Sequence, residues 1–143
     1  MRRAEIVRAA RGWLGTPYRH QGSLKGVGCD CLGLVRGVWR ELTGHEAETP
    51  PPYTPDWAEA SGRETLAEAA RRHMHEIAPA EARAGDLVLF RWRPGLPAKH
   101  AAILAGPVRM IHAQQGAAVA EVPLSDWWRR RTAYAFRFPD LED

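Results

Sequence analysis

The segment from Asp30 to Gly44 constrains the fold more than any other stretch of the chain. Cys31, Leu34, Val35, Val38 and Leu42 recur at i, i+3, i+4, i+7 and i+11, the spacing of one face of an α-helix. Asp30 is a good N-cap and Gly44 a good C-terminal stop, so the pattern predicts a helix bounded by those two residues. Gly33 and Gly37 each cost about 1 kcal/mol relative to alanine inside a helix. Two of them four residues apart imply that another backbone comes close. The helix is therefore expected to be central.

The pattern differs on either side of this helix. Ile6, Val7, Ala10, Trp13 and Leu14 form one helical stripe ended by Gly15-Thr16-Pro17, and residues 18–28 read as a glycine-rich loop. Residues 45–60 carry Pro50, Pro51, Pro52 and Pro55 with Tyr53 and Trp57, which suggests an ordered surface excursion. Ser61 and Glu64 make a capping box for a short helix running to about His73. After Gly85 the period falls to two: Val88, Phe90 and Trp92 alternate with Leu87, Leu89 and Arg91. Further strand candidates lie at 100–104, 108–113, 118–122 and 132–138. Helices followed by antiparallel strands mean an α+β fold with about five strands. At 143 residues and 45% apolar composition the chain is expected to be a single domain, 1–143, with a real core.

Charge and cysteine usage exclude several classes. Basic residues outnumber acidic ones by 20 to 17, and only Lys25 and Lys99 are lysines. The balance is too mild to imply nucleic acid. No window approaches 18 consecutive apolar residues, so membrane insertion is not expected. Glu5, Arg8 and Arg11 interrupt what would have to be the apolar region of a signal peptide, which implies synthesis in the cytoplasm without one. Two cysteines cannot build a disulfide scaffold, and the Cys29-x-Cys31 spacing is too tight for an unstrained bridge.

With Asp30 as cap, the Cys31 thiol falls in the first helical turn, where unpaired N–H groups and the macrodipole favour the thiolate. The same N–H groups can hold an oxyanion. Two readings of Cys31 stand: a nucleophile, or a small apolar residue of the core. A nucleophilic thiol needs a base and the base an orienting group. His100 to Leu104 and Val108 to His112 flank Ala105-Gly106-Pro107 as a hairpin. With Gly106 at its centre, Leu104 pairs with Val108, Ala102 with Met110, and His100 with His112. Directly opposed residues have Cβ atoms about 4.5–5.5 Å apart, close enough for one imidazole to orient the other. His45, His73 and His75 read as surface residues, and His20 as a candidate cleft residue. Cys29, Cys31, His100 and His112 are also zinc-ligand types, but one intervening residue between the cysteines and eleven between the histidines do not suit such a site. No metal or cofactor is expected.

These residues resemble the NlpC family of papain-like cell-wall cysteine peptidases. The likeness rests on Gly15-Thr16-Pro17-Tyr18, Asp30-Cys31-Leu32-Gly33-Leu34, Gly85-Asp86-Leu87-Val88, His100, and Ile111-His112-Ala113. Pro51-Pro52-Tyr53, Lys99 to Ile103 and Phe136 to Pro139 are similar to the branch carried by phage and gene-transfer-particle tails. The resemblance implies a central nucleophile helix on an antiparallel sheet, with Cys31 as nucleophile, His100 as base and then acid, and His112 as orienter. It also implies Tyr18 facing the cysteine, with Asp30, Leu32, His20 and Lys99 bordering the substrate. The implied reaction is hydrolysis of peptidoglycan stem peptides, commonly between γ-D-glutamate and the diamino acid, with no metal. Leu32 departs from the small residue usual after the cysteine, and His20-Gln21-Gly22 from the usual double glycine.

The tail likeness implies assembly with tail or hub proteins and action in the periplasm of a recipient cell. The excursion at 45–60 and the Trp127-Trp128-Arg129-Arg130-Arg131 run are candidate docking surfaces. The rival reading is a non-enzymatic tail component that keeps the fold. Within enzymes, a transferase would form the same acyl intermediate as a hydrolase.

Overall fold

The computed structural model describes residues 1–51 and 62–143. Pro52, Tyr53, Pro55, Trp57 and Ser61, on which part of the excursion and the capping box rest, lie outside the described residues.

The chain opens with α1 (Arg3–Arg11), followed by the two-residue strands β1 (Ser23–Leu24) and β2 (Gly28–Cys29) and then α2 (Cys31–Thr43). Next come α3 (Thr65–His73), β3 (His75–Ile77), a 3-10 turn at Pro79–Glu81, β4 (Leu87–Phe90), β5 (His100–Gly106) and β6 (Arg109–His112). β7 (Ala120–Pro123), α4 (Asp126–Arg129) and β8 (Thr132–Arg137) complete the order. β3 to β8 form one antiparallel sheet in the order β3-β8-β4-β5-β6-β7. The α+β expectation holds, with six strands in that sheet where about five were expected. The extra one, β3, has two exposed residues of three and carries no apolar alternation to read.

The helix that the pattern demanded forms as expected. Asp30 is extended and its Oδ1 accepts the Gly33 N–H at 2.8 Å, while Gly44 closes the other end at φ 85°. The two internal glycines are needed for different reasons. A Cβ at Gly33 would stand 1.7 Å from the Gly22 carbonyl oxygen, a backbone approach; one at Gly37 would stand 1.9 Å from the Trp13 ring. Trp13 is thus buried past the end of α1, which stops at Arg11, whereas Leu14 is exposed and leaves the predicted stripe. α3 begins at Thr65, with Glu64 rather than Ser61 at its N-cap. The Glu64 carboxylate is spent elsewhere, accepting from Ala98 N–H and from Arg91, each at 2.9 Å.

The sheet is buried on both sides. Leu87, Leu89, Ala101, Ile103, Ile111 and Phe136 pack with Ile6, Leu34, Val38 and Leu66 of the helices. Val88, Phe90, Ala102, Leu104 and Met110 pack instead beneath Trp128. β4 therefore reads as a continuous apolar run rather than a half-exposed alternation.

The β5–β6 hairpin departs from its expected register. Ile103 pairs with Ile111, Leu104 with Met110 and Gly106 with Arg109, with a bulge between Leu104 and Gly106. The turn tightens onto Pro107-Val108 and one residue is extruded, so the strands sit two residues from the predicted alignment. His100 and His112 are diagonal rather than directly opposed. A slip of two preserves the face on which side chains project, so both imidazoles remain on one side.

Candidate active site

A cavity of about 300 Å³ opens where β5 begins. Tyr18, His20, Asp30, Cys31, Leu32, Lys99 and His100 line it, joined by Leu66, Trp92, Ala113, Gln114 and Gln115. His112 stands behind His100, with 2.8 Å between His100 Nε2 and His112 Nδ1. All eight residues singled out in the sequence thus converge on one place. Diagonal strand neighbours about 7–8 Å apart are within reach of ring side chains, which is how the pair survives the register slip.

Three segments build the wall around the cysteine. Asp30 Oδ1 holds the Gly33 N–H and Oδ2 holds the Gln21 N–H at 2.8 Å, so one carboxylate joins the helix start to the preceding loop. Cys29 N–H donates to the Pro17 carbonyl and Arg19 N–H to the Cys29 carbonyl, each at 3.0 Å, which lays Tyr18 beside β2. The predicted loop at 18–28 is in this way partly a two-strand ladder. From the sheet, the Lys99 carbonyl lies 3.7 Å from Cys31 Sγ and accepts from the thiol.

Electrostatics overturn one expectation. Cys31 keeps partial exposure to the cavity but is closely packed, and burial, followed by the Asp30 carboxylate, pushes its thiol up to about 12 despite N–H groups of Ala101 and Leu32 facing the sulfur. A thiolate at the helix start was expected. The cap itself defeats the dipole: the residue that starts the helix is an anion beside the sulfur, and it takes the Gly33 N–H. Burial lowers His100 to about 3, with His112 adding to it, and lowers His112 to about 4. The site at rest is a neutral thiol with two neutral imidazoles. Burial, then Asp30, raises Tyr18 to about 12, so its hydroxyl stays a donor.

Cys29 is wholly buried in the core and burial raises its thiol to about 11. No group of three or more His, Cys, Asp or Glu side chains among the described residues is arranged to hold a metal ion. His45 and His75 are exposed, and His73 reaches Glu48 at 2.9 Å.

Sequence reasoning missed the aromatic cover. Trp128 is buried, its indole stacked on His100 and perpendicular to His112, each with centroids 5.3 Å apart, and Trp92 lies 5.2 Å from His100. Within the candidate docking run Trp127 to Arg131, Trp128 is therefore interior packing, while Arg129 and Arg130 are exposed. Trp127 remains partly exposed beneath the Arg131 guanidinium at 3.7 Å. The signal available was the period-two placement of Trp92 after Phe90; nothing marked Trp128.

The chain is 30% identical over 139 residues to the gamma-DL-glutamyl hydrolase of Bacillus subtilis strain 168, covering 95% of this chain and 29% of that protein. It therefore spans under a third of the length of that curated relative. Its backbone is similar to the NlpC/p60 domain of the peptidoglycan hydrolase SagA, with a TM-score of 0.70 and 27% identity over 96% of this chain and all of that one. RipD of Mycobacterium tuberculosis, described as a non-catalytic NlpC/p60 domain protein, shares the fold at a TM-score of 0.62 and 18% identity, over 94% of this chain and 95% of that one. The family model described as NlpC/P60 matches residues 15–137, a span that takes in every residue lining the cavity, and the chain belongs to that family.

Proposed function

We propose that the chain is a cysteine peptidase of peptidoglycan stem peptides, with Cys31 as nucleophile, His100 as general base and then acid, and His112 as orienter. The observation that carries this reading is Cys31 and His100 on one cavity with His112 2.8 Å behind His100. The hydrolase relatives support it, and the name of the γ-glutamyl hydrolase supports a γ-D-glutamyl bond as the target. A non-catalytic relative on the same fold means that side chains, not fold, must decide.

The histidine pair sets the tautomers. If His100 donates from Nε2 to His112 Nδ1, its own Nδ1 is bare and basic toward the cavity. Nδ1 then takes the Cys31 proton as sulfur attacks the carbonyl carbon. The C–S bond forms while the carbonyl electron pair moves to oxygen, where first-turn N–H groups of α2 and the Tyr18 hydroxyl stabilise it. The Gly33 N–H is not among these donors, being held by Asp30. Collapse expels the amine, which takes the proton back from His100. Water then attacks the thioester, its proton passing through His100, and frees the acid and the thiol. An amine acceptor in place of water would give a transferase.

Mass spectrometry of muropeptides digested by purified protein tests the reading. Wild type is expected to cleave, and Cys31→Ala to lose at least about a thousandfold in turnover. Cleavage by Cys31→Ala at the wild-type rate overturns it. Iodoacetamide labelling separates the scaffold alternative: alkylation of Cys31 assisted by His100 is expected to fall on His100→Ala, whereas a scaffold thiol is indifferent to that substitution. Tail or hub partners, delivery by a phage-like particle and action in the recipient periplasm are part of the same proposal. They are supported by the wording at 51–53, 99–103 and 136–139 and tested by whether the protein fractionates with particles.

A further inference from the structure

Among the described residues the imidazole pair has no carboxylate partner, the usual stabiliser of a histidine cation; the rings bond to one another. Yet the proposed proton transfer makes His100 an imidazolium in a nearly solvent-free place, with His100 4% and His112 5% exposed. The titratable groups on its open side are Tyr18, His20, Asp30, Cys31 and Lys99, and behind it is His112. On its closed side stand Phe90 and Trp128, and Trp92 lies against it at the cavity wall.

Resting on the peptidase reading, we propose that Trp128 is a positioning residue for the proton transfer, its indole face stabilising the His100 imidazolium in place of a carboxylate. The indole lies within 25° of parallel to the His100 ring at 5.3 Å between centroids, inside the roughly 6 Å over which a cation is drawn to an aromatic face. It also stands at 84° to His112, so one side chain fixes both rings. Trp128 is itself held in place, at 5.0 Å from Phe90 and 4.8 Å from Trp127. An aliphatic side chain could exclude water from the imidazole but could not attract its proton. The step balances within the site: the proton leaves Cys31 Sγ for His100 Nδ1, the sulfur keeps the bonding pair, and the positive charge spreads over a ring stacked on the indole.

Trp128→Phe and Trp128→Leu in the full chain test this. Circular dichroism and melting establish that each folds; should Trp128→Leu fail, Trp128→Met replaces it. Steady-state turnover of muropeptides and the pH profile of Cys31 alkylation by iodoacetamide are measured for each. The expectation is that Trp128→Leu lowers kcat about tenfold with KM within about twofold, and slows alkylation at neutral pH in parallel, while Trp128→Phe recovers most of both. Equal alkylation by folded Phe and Leu variants overturns the role, since packing alone would then suffice. Alkylation needs no wall substrate. A chain inert toward muropeptides that still shows the Phe–Leu difference loses the peptidase reading and keeps the Trp128 role.

Discussion

The two ends of β4 hold two buried polar clusters built on opposite principles. At its start, Asp86 is 0% exposed and is held by Arg3 at 2.9 Å, Arg137 at 3.2 Å and the Arg83 N–H at 3.0 Å. At its end, Phe90 pairs with His100, whose ring meets another neutral imidazole and the cavity of a neutral thiol. In the first cluster one buried carboxylate is ion-paired with two guanidinium groups and no proton needs to move. In the second, burial removes charge from the thiol and both imidazoles, so the ion pair needed for chemistry exists only when a proton is passed along. An ion-paired cluster secures the sheet; an uncharged one is poised to react.

That contrast predicts a double dissociation. Asp86→Ala leaves the buried Arg3 guanidinium without a counter-charge and is expected to destabilise by about 3–5 kcal/mol, roughly 10 °C in Tm, with kcat of the folded fraction unchanged. Cys31→Ala, which abolishes turnover, is expected to leave Tm unchanged or higher. Denaturant melts beside turnover measurements check both, and loss of kcat in folded Asp86→Ala would mean that the two ends are coupled.

Acid sharpens the difference next. His100 and His112 have folded pKa values below the ordinary histidine value, so the unfolded chain binds protons first as pH falls. Their contribution to stability is complete above about pH 6.5 and is lost progressively toward pH 3–4. Replacing His112 by Asn is expected to flatten that acid limb and to lower turnover about 10–100-fold through loss of the orienter. A pH series of urea melts reads the slope, and an unchanged limb would mean that the pair does not titrate on unfolding. The smallest effect is expected at Cys29→Ala: turnover within about twofold and stability lowered by about 1 kcal/mol, because Cys29 serves the core and not the cavity. Thiol labelling before and after denaturation distinguishes the two cysteines.

The parts of this molecule legible in the sequence were those with local causes. Asp30, Gly44 and the stripe between them predicted α2 because capping and periodicity act within a turn. Gly33 predicted the close backbone that Gly22 supplies, whereas Gly37 answers to an indole, a distinction that spacing does not carry. The hairpin pairing was displaced because a bulge at Ala105 depends on turn geometry, yet period two kept both histidines on one face. β3 escaped because its two exposed residues show no alternation. The protonation state of Cys31 was misread because Asp30 is cap and anion at once, and which effect wins depends on packing. Trp128 was invisible as part of the site because a ring twenty-eight positions beyond His100 is brought there only by the tertiary fold.

Asp30 is bonded on both sides of the cysteine. Because the same carboxyl group fastens the nucleophile's helix and the Gln21 strip of the rim, neither can shift without the other. An incoming peptide therefore meets a mouth whose shape is settled before it arrives, and fit on that side must come from the peptide.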